Sequence, residues 1–385
     1  MTGTKHTRPT LGLAMIMKDE IEDLDRIVKD YGKYFDKIYV TVTDKKAHTK
    51  LLKKFPNKDS LVELSYFKWI DHFGKARRYN HRQVKTNYWM WIDLDDEIEG
   101  PEKLSQALEQ MVKNELDAVW FKYDYDRWLT LTERGSFYWR ERIIRTASRL
   151  KWSDEAIHET VDTDGDFKEE YLATVTIKHR KTAEQQRSTV ERNRLILEKD
   201  WQQAHRARTA WYLGTSLKQV GDNDGAIEKL LFVTEHAEGI ALRFMAWEIL
   251  WEAYFQTGQY KDALAAANEG STIDPDHPTP WYERFQVYMA IGNYDLAVQS
   301  AEIALSKREG KLAALLTNDS SLYQYRGPFD VARVYLSIGN VERAYQLYNQ
   351  VKKIAPEYIE AQSKATGVQW DNVFEQGYNE FKNSH

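Results

Sequence analysis

The chain has 385 residues, 42% hydrophobic and 13% aromatic, which is enough for two cored domains, and it has no cysteine, which excludes disulfides and thiolate metal sites. Its net charge of −5 is uneven: residues 1–180 balance 32 basic against 32 acidic side chains, residues 181–208 carry 7 against 4, and residues 209–385 carry 15 against 23. So acidic a second half makes a poor general surface for a nucleic-acid backbone, whose affinity rests on basic side chains.

The opening stretch MTGTKHTRPT has no apolar segment of the signal-peptide kind, and no run reaches the ~20 apolar residues that span a bilayer. A soluble, cytoplasmic protein without a membrane span is therefore expected. LGLAMIM (11–17) reads as a buried parallel strand. In the next segment Ile21, Leu24, Ile27, Val28 and Tyr31 share a helical face. KIYVTVT (37–43) is rich in β-branched residues and reads as a strand, AHTKLLKKF as a short helix, LVELSYF (61–67) as a third strand. GKARRYNHRQVKT (74–86) predicts a helix and YWMWID (88–93) a fourth strand. A helix follows Pro101, which suits a first helical position, and then a strand, DAVWFKY (117–123). Strand–helix alternation predicts a mostly parallel sheet covered on both faces, with ligands beyond the carboxyl ends of the strands. FYWRERIIR (137–145) and EYLATVTIKH (170–179) read as added antiparallel strands, with KWSDEAIHETVD as a loop between them. Trp128, Tyr138, Trp139 and Trp152 cluster here, as core filling or as a sugar-stacking platform.

The second half is helical and repetitive. Gly221, Gly258, Gly292 and Gly339 each have alanine five residues on (Ala226, Ala263, Ala297, Ala344) and Leu217, Tyr254, Tyr288 or Tyr335 four residues back. Pro275 and Pro356 follow two of them at seventeen. Glycine permits the turn between paired helices, alanine their close approach, and proline ends the second helix. The pattern resembles the tetratricopeptide repeat, with an insertion near KREGKLAALLTNDSSLYQYRGP. Expected domains are 1–180 (α/β), 181–208 (a basic helical connector) and 209–385 (an all-α solenoid).

One cluster calls for chemistry. The apolar run Tyr88 to Ile92 ends in Asp93, Leu94, Asp95, Asp96 and Glu97. Carboxylates there favour the start of a following helix, serve phosphoryl transfer, or hold a hard divalent cation such as Mg²⁺ or Mn²⁺ that relieves their repulsion. No glycine-rich Walker loop accompanies them. Arg142 and Arg145, on the polar face of the 137–145 strand, can meet either a phosphate or these acids.

Four stretches in order, LAMIMKDE, FKWIDHFGKARRYN, WMWIDLDDEI and RIIR…KW…IHE, resemble a family-2 glycosyltransferase of the GT-A fold with C-terminal tetratricopeptide repeats. The resemblance implies an inverting transfer from a nucleotide-sugar, with UDP the default nucleotide. It implies Mn²⁺ or Mg²⁺ held by Asp93, Asp95 and Asp96; His179, at the end of a β-branched strand, is a candidate for a further metal or phosphate ligand. It implies donor contacts from Lys18, Glu20, Asp44, Arg77, Arg78 and Asp93. Glu159 becomes the base that takes the acceptor proton, with Asp154 and Glu155 as rivals and His158 as its orienter. Asp19 stands where the family has asparagine, and TVTDKKAHTK, with Asp44 alone, replaces its acidic nucleotide loop. The acceptor implied is a protein or peptide presented by the repeats, which are also a possible surface for homo-oligomers. Two other readings stand beside it: transfer to a hydroxylated base in viral DNA, favoured by the basic connector, and a non-catalytic repeat scaffold with a decayed transferase domain.

Overall fold

The computed structural model describes residues 8–56, 60–124, 137–162, 165–179, 183–307, 310, 312 and 321–384. The chain divides into two compact units, residues 1–199 and 200–385. The boundary falls inside the helix that occupies most of the expected connector.

In the first unit the strands and helices run β1 (Leu11–Met17), α1 (Ile21–Tyr31), β2 (Lys37–Val42), α2 (Lys45–Lys54), β3 (Val62–Tyr66), α3 (Phe73–His81), β4 (Tyr88–Trp91), β5 (Asp96–Glu99), α4 (Leu104–Asn114), β6 (Ala118–Asp124), β7 (Phe137–Arg145), β8 (Lys151–Trp152), β9 (Val161–Asp162), β10 (Glu169–His179) and α5 (Ala183–Gln203). Eight strands form one sheet in the order β3-β2-β1-β4-β7-β6-β10-β5, and β8 pairs with β9. The β3-β2-β1-β4 part is parallel. Beyond it β7 runs antiparallel to both β4 and β6, so the sheet is mixed rather than mostly parallel. β10, expected to be antiparallel, lies parallel to β6 and takes its antiparallel partner from β5, within the acidic run. A strand four residues long and rich in acids carries no apolar pattern, which is why the sequence hides it.

Alternation along β1 and β4 feeds two cores. Leu11, Leu13, Met15, Met17, Tyr88 and Met90 pack with Leu24, Ile27 and Met111 of α1 and α4 on one face. Ala14, Trp89 and Trp91 pack on the other with Tyr39, Ile144, Leu150 and Trp152. The tryptophan-rich face carries the candidate site.

The second unit is built of paired helices: α6 (Ala207–Gln219) with α7 (Asn223–His236), α8 (Ile240–Gln256) with α9 (Tyr260–Ile273), α10 (Pro278–Ala290) with α11 (Tyr294–Ser306), α12 (Gly327–Ser337) with α13 (Val341–Ile354), then α14 (Pro356–Thr366) and α15 (Trp370–Ser384). The glycine register is explained by the turns. Gly221, Gly258, Gly292 and Gly339 have φ of +75° to +85°, the left-handed region that favours glycine. The N–H after each glycine donates to the carbonyl of Leu217, Tyr254, Tyr288 or Tyr335 at 2.8–3.0 Å, closing the first helix. In three turns the same residue (Asp222, Asn293, Asn340) then caps the next helix with its side chain. The registered alanines are all 0% exposed, where a larger side chain would force the helices apart. Pro275 follows the end of α9 as expected, whereas Pro356 opens α14. Half of the expected insertion (residues 308, 309, 311 and 313–320) lies outside the described residues. Among those described, no helix is long and apolar enough to cross a membrane.

Candidate functional site

The apolar half of β4 sets Trp91 into the core, and the chain emerges as Asp93, Leu94, Asp95 before β5 begins at Asp96. The β5–β10 register puts His179 directly opposite Asp96. Asp95, Asp96 and His179 thereby bring one ligand atom each to within 4.8 Å of one another.

The three are not equivalent. Asp96 is 0% exposed. Its Oδ2 accepts from the Asp93 backbone N–H (3.0 Å) and stands 3.6 Å from the Arg142 guanidinium. Its Oδ1 accepts from the Tyr123 hydroxyl (3.0 Å) and lies 3.2 Å from His179 Nδ1. His179 Nδ1 is also 2.9 Å from the Tyr123 hydroxyl, and with Nδ1 protonated toward Tyr123 and Asp96, His179 presents the lone pair of Nε2 on its other side, where Asp95 Oδ2 is 3.8 Å away. That gap is too long for a hydrogen bond. It matches two ligand atoms sharing one cation at about 2.1 Å each, which would stand roughly 3–4.2 Å apart. A carboxylate and an imidazole suit Mn²⁺ or Mg²⁺. The donor set therefore fits the expected metal, with Asp95 and His179 facing it and Asp96 behind them fixing the imidazole.

Asp93 belongs to a different group. The Arg77 side chain, 5% exposed, donates from Nη2 to Asp93 Oδ1 (2.5 Å) and from Nε to Glu159 Oε1 (2.8 Å). Burial works against the Arg77 charge, but Asp93 and then Glu159 more than offset it and hold the group above its ordinary pKa. The Arg77, Arg140 and Arg142 guanidiniums all lie over the Trp91 ring, 3.8–5.0 Å from its centroid, and Arg77 also lies over Trp152. Two of these arginines pair with the acid run, Arg77 with Asp93 and Arg142 with Asp96. Arg145 does not share this face: three residues from Arg142, it pairs with Asp117.

The loop 153–160 carries the expected base. Gly74 at the start of α3 lies so close to it that a Cβ would meet the Ser153 and Glu155 carbonyl oxygens at 2.5 and 2.6 Å. The Phe73 and Gly74 N–H groups donate to the Ala156 and Glu155 carbonyls. Arg78 donates from Nε to the Trp152 carbonyl (2.7 Å) and stands 3.4 Å from Asp154, so it braces the loop. Buried Glu141 anchors the loop's far end by accepting from the Val161 N–H (3.1 Å). His158 is exposed and left-handed (φ +58°), a sparsely populated backbone for a non-glycine residue. The side chain of the next residue, Glu159, is 10% exposed and joins Arg77. The side chain of Asp154 is 55% exposed, beside His72 and Arg78 and away from the Arg77 group.

Of the expected donor contacts, Glu20 folds back so that Oε2 accepts from the Lys18 and Asp19 N–H groups, and Lys18 is exposed. Asp44 caps α2 through the Ala47 N–H (2.7 Å). Trp152 is 2% exposed and fills the core, and Trp139 packs edge-on to Tyr171, whereas Trp128 and the Tyr138 side chain lie outside the described residues. Sequence reasoning missed Tyr123, Glu141 and Arg192. Arg192 of α5 is exposed, lies over the Phe73 ring (5.1 Å) and is close enough to Glu20, Asp93, Asp95 and Glu159 to feel all four charges. One signal was available: Arg192 sits in the basic segment after the sheet.

The tetratricopeptide repeat family model matches residues 213–278. No curated protein matches the chain. Solved structures with likeness to it include a crystal structure of MamA (16% identity over 47% of this chain and 99% of that one, TM-score 0.37). Another is MamA from Desulfovibrio magneticus RS-1 (15%, 46% and 92%, TM-score 0.34). A third is a thermophilic TPR protein of Thermus thermophilus (17%, 46% and 90%, TM-score 0.32).

Proposed function

We propose that the first unit is a metal-dependent, inverting glycosyltransferase that uses a nucleotide-sugar, by default a UDP-sugar, and that the repeats help to hold a protein or peptide acceptor. The observation that carries this reading is the pairing of Asp95 and His179 across 3.8 Å at the carboxyl end of β4, with Asp96 ordering the imidazole from behind. A divalent cation held there would offset the charge of a diphosphate. The chain's own residues supply the rest. Arg77 fixes Asp93 and Glu159 together at the mouth of the tryptophan-lined face. Glu159, on the braced loop, accepts the proton from the acceptor hydroxyl as that oxygen attacks the anomeric carbon and the bond from that carbon to the diphosphate breaks, the nucleoside diphosphate leaving with the electron pair. Arg192, which feels the charges of the same acids, would meet donor phosphate.

The test is a panel of nucleotide-sugars with Mn²⁺ or Mg²⁺, read as release of the nucleoside diphosphate. Turnover is expected with one cation and none in chelator. Asp95→Asn should lose most of it with little change in melting, since that side chain is 24% exposed at a strand end. Unchanged turnover in chelator or in Asp95→Asn would sink the reading. Absence of donor hydrolysis and transfer across the whole panel would favour the scaffold alternative.

A further inference from the structure

Helix α2 carries a face that the fold does not use. Buried Ala47 and Leu51 hold the helix against the core that β1 and α1 share. Its outer surface is lysine: Lys45, Lys46, Lys50, Lys53 and Lys54 are all exposed, and the helix contains no acid. Among the described residues only Lys54 is paired, with Asp25 of α1. The ammonium groups of the other four make no ion pair and no hydrogen bond among those residues. Other helices of this chain set an acid one turn from a cation. Arg194 of α5 meets Glu191 and Glu198, and Lys364 of α14 meets Glu360. On α2 the spacing does the reverse. Lys46 and Lys50, and again Lys50 and Lys54, are like charges at i,i+4, which repel. Lys45 and Lys46 also occupy the first turn, the end at which the helix macrodipole disfavours a cation. Both arrangements cost the folded chain stability, and no contact among the described residues returns it.

We infer that α2 is a docking face for the surface of an anionic lipid bilayer, with its lysines against headgroup phosphates and Leu52 entering the headgroup layer. A basic cluster of this size on one helix suffices for electrostatic binding to acidic lipid. A helix of this length presents a ridge about 15 Å long, and lysines on flexible stems reach a plane from both flanks of it. Leu52 is 46% exposed and stands two turns on from Lys45, on the same stripe of the helix. An aliphatic side chain among cations gains nothing in water and gains by burial at a lipid interface. Residues 1–180 are neutral as a whole, so the excess on α2 is a local positive pole that turns this helix toward an anionic surface. A nucleic acid is the poorer occupant. The face has no arginine to read a base edge and no aromatic ring for a base to stack on, and a phosphate backbone offers Leu52 nothing.

The inference does not depend on the transferase reading, and its test does not use activity. Full-length protein is mixed with vesicles of phosphatidylcholine containing about one third phosphatidylglycerol, or of phosphatidylcholine alone, and the bound fraction is read by flotation. Binding is expected to the anionic vesicles and not to the neutral ones, and it should weaken as salt is raised. Combining Lys46→Gln, Lys50→Gln and Lys53→Gln should weaken it about a hundredfold, roughly fivefold for each lysine. These side chains are exposed, so the variant should fold as the parent does. Leu52→Asn should weaken binding at high salt, where an apolar contact outlasts the screened charges. Replacing Lys113, Lys261 and Lys353 by glutamine removes the same charge from exposed positions on α4, α9 and α13 and should leave binding within about twofold. Equal binding to the two vesicle types would overturn the inference, as would undiminished binding by the α2 variant. An equal loss in the control variant would trace the effect to overall charge and overturn it too. So would tighter binding to a mixed-sequence duplex DNA that the same three α2 lysines support, which would make the partner a nucleic acid.

Discussion

Asp96 and Glu283 are both nearly inaccessible carboxylates, 0% and 5% exposed, but their surroundings are opposite. Asp96 is surrounded by donors of its own unit: the Asp93 N–H, the Tyr123 hydroxyl and Arg142. Glu283, on α10, is desolvated by burial and feels the charges of Glu248 and Glu252, so its carboxyl is pushed well above its ordinary pKa. The first arrangement is closed. Both oxygens of Asp96 accept hydrogen bonds inside the protein, and Oδ1 lies against His179 Nδ1. The second lacks a counter-charge, and its raised pKa favours the protonated, neutral form. Burial alone therefore does not mark a functional acid, and the supply of internal donors decides its role.

The comparison can be broken most severely at Arg142. Arg142→Met leaves Asp96 charged and buried without its cation and should cost about 3–5 kcal/mol, read from urea unfolding. A loss under about 1 kcal/mol would mean that Tyr123 and the backbone suffice. Next in size is the proposed base. Glu159→Gln keeps the acceptor for Arg77 but not the basicity, and should lower turnover roughly a hundredfold while Mn²⁺ binding persists. Comparable activity would move the assignment to Asp154 or Glu155.

The acids that lack a counter-charge have a signature in pH. Glu248 binds its proton more tightly when folded, up to about 8, than in the unfolded chain, at about 4.3. Between those values the native state holds more protons, so stability falls as pH rises, at no more than about 1.4 kcal/mol per pH unit for this group. Glu248→Gln should flatten that part of the stability profile and raise stability at pH 8. An unchanged slope would show that the carboxyl is satisfied. The smallest effect expected is in the repeat turns. Gly258 has φ +75° with open space around it, so alanine there meets no atom but must adopt a left-handed backbone. Gly258→Ala should cost about 1 kcal/mol of stability and leave both sites untouched.

The repeats were legible because their information is local. A glycine in the left-handed region, the residue four before it and the alanine five after it all lie within one turn of chain, and a period of about 34 residues repeats the message. The β1 to β4 half was legible for a similar reason, as short apolar runs alternate with amphipathic helices. The β5–β10 pairing was not. It joins residues about 80 apart, and β5 is written in acids that look like the tail of β4. The local reading also took Arg142 and Arg145 as neighbours on one face, although in extended chain a separation of three points side chains to opposite sides. Asp44 and Glu20 were read as donor contacts, and the structure uses both on nearby backbone N–H groups.

By itself, then, the sequence determined the two units, the repeat turns and the residues at the carboxyl end of β4, because propensity, periodicity and turn chemistry act over a few residues. The tertiary structure alone decided which acids share a partner. Asp96 met His179 through strand register, Asp93 met Glu159 through Arg77, and Glu283 came to feel the charge of Glu248 from the neighbouring α8. Each of these joins residues far apart in the chain, and a charge's meaning depends on what the fold brings near it.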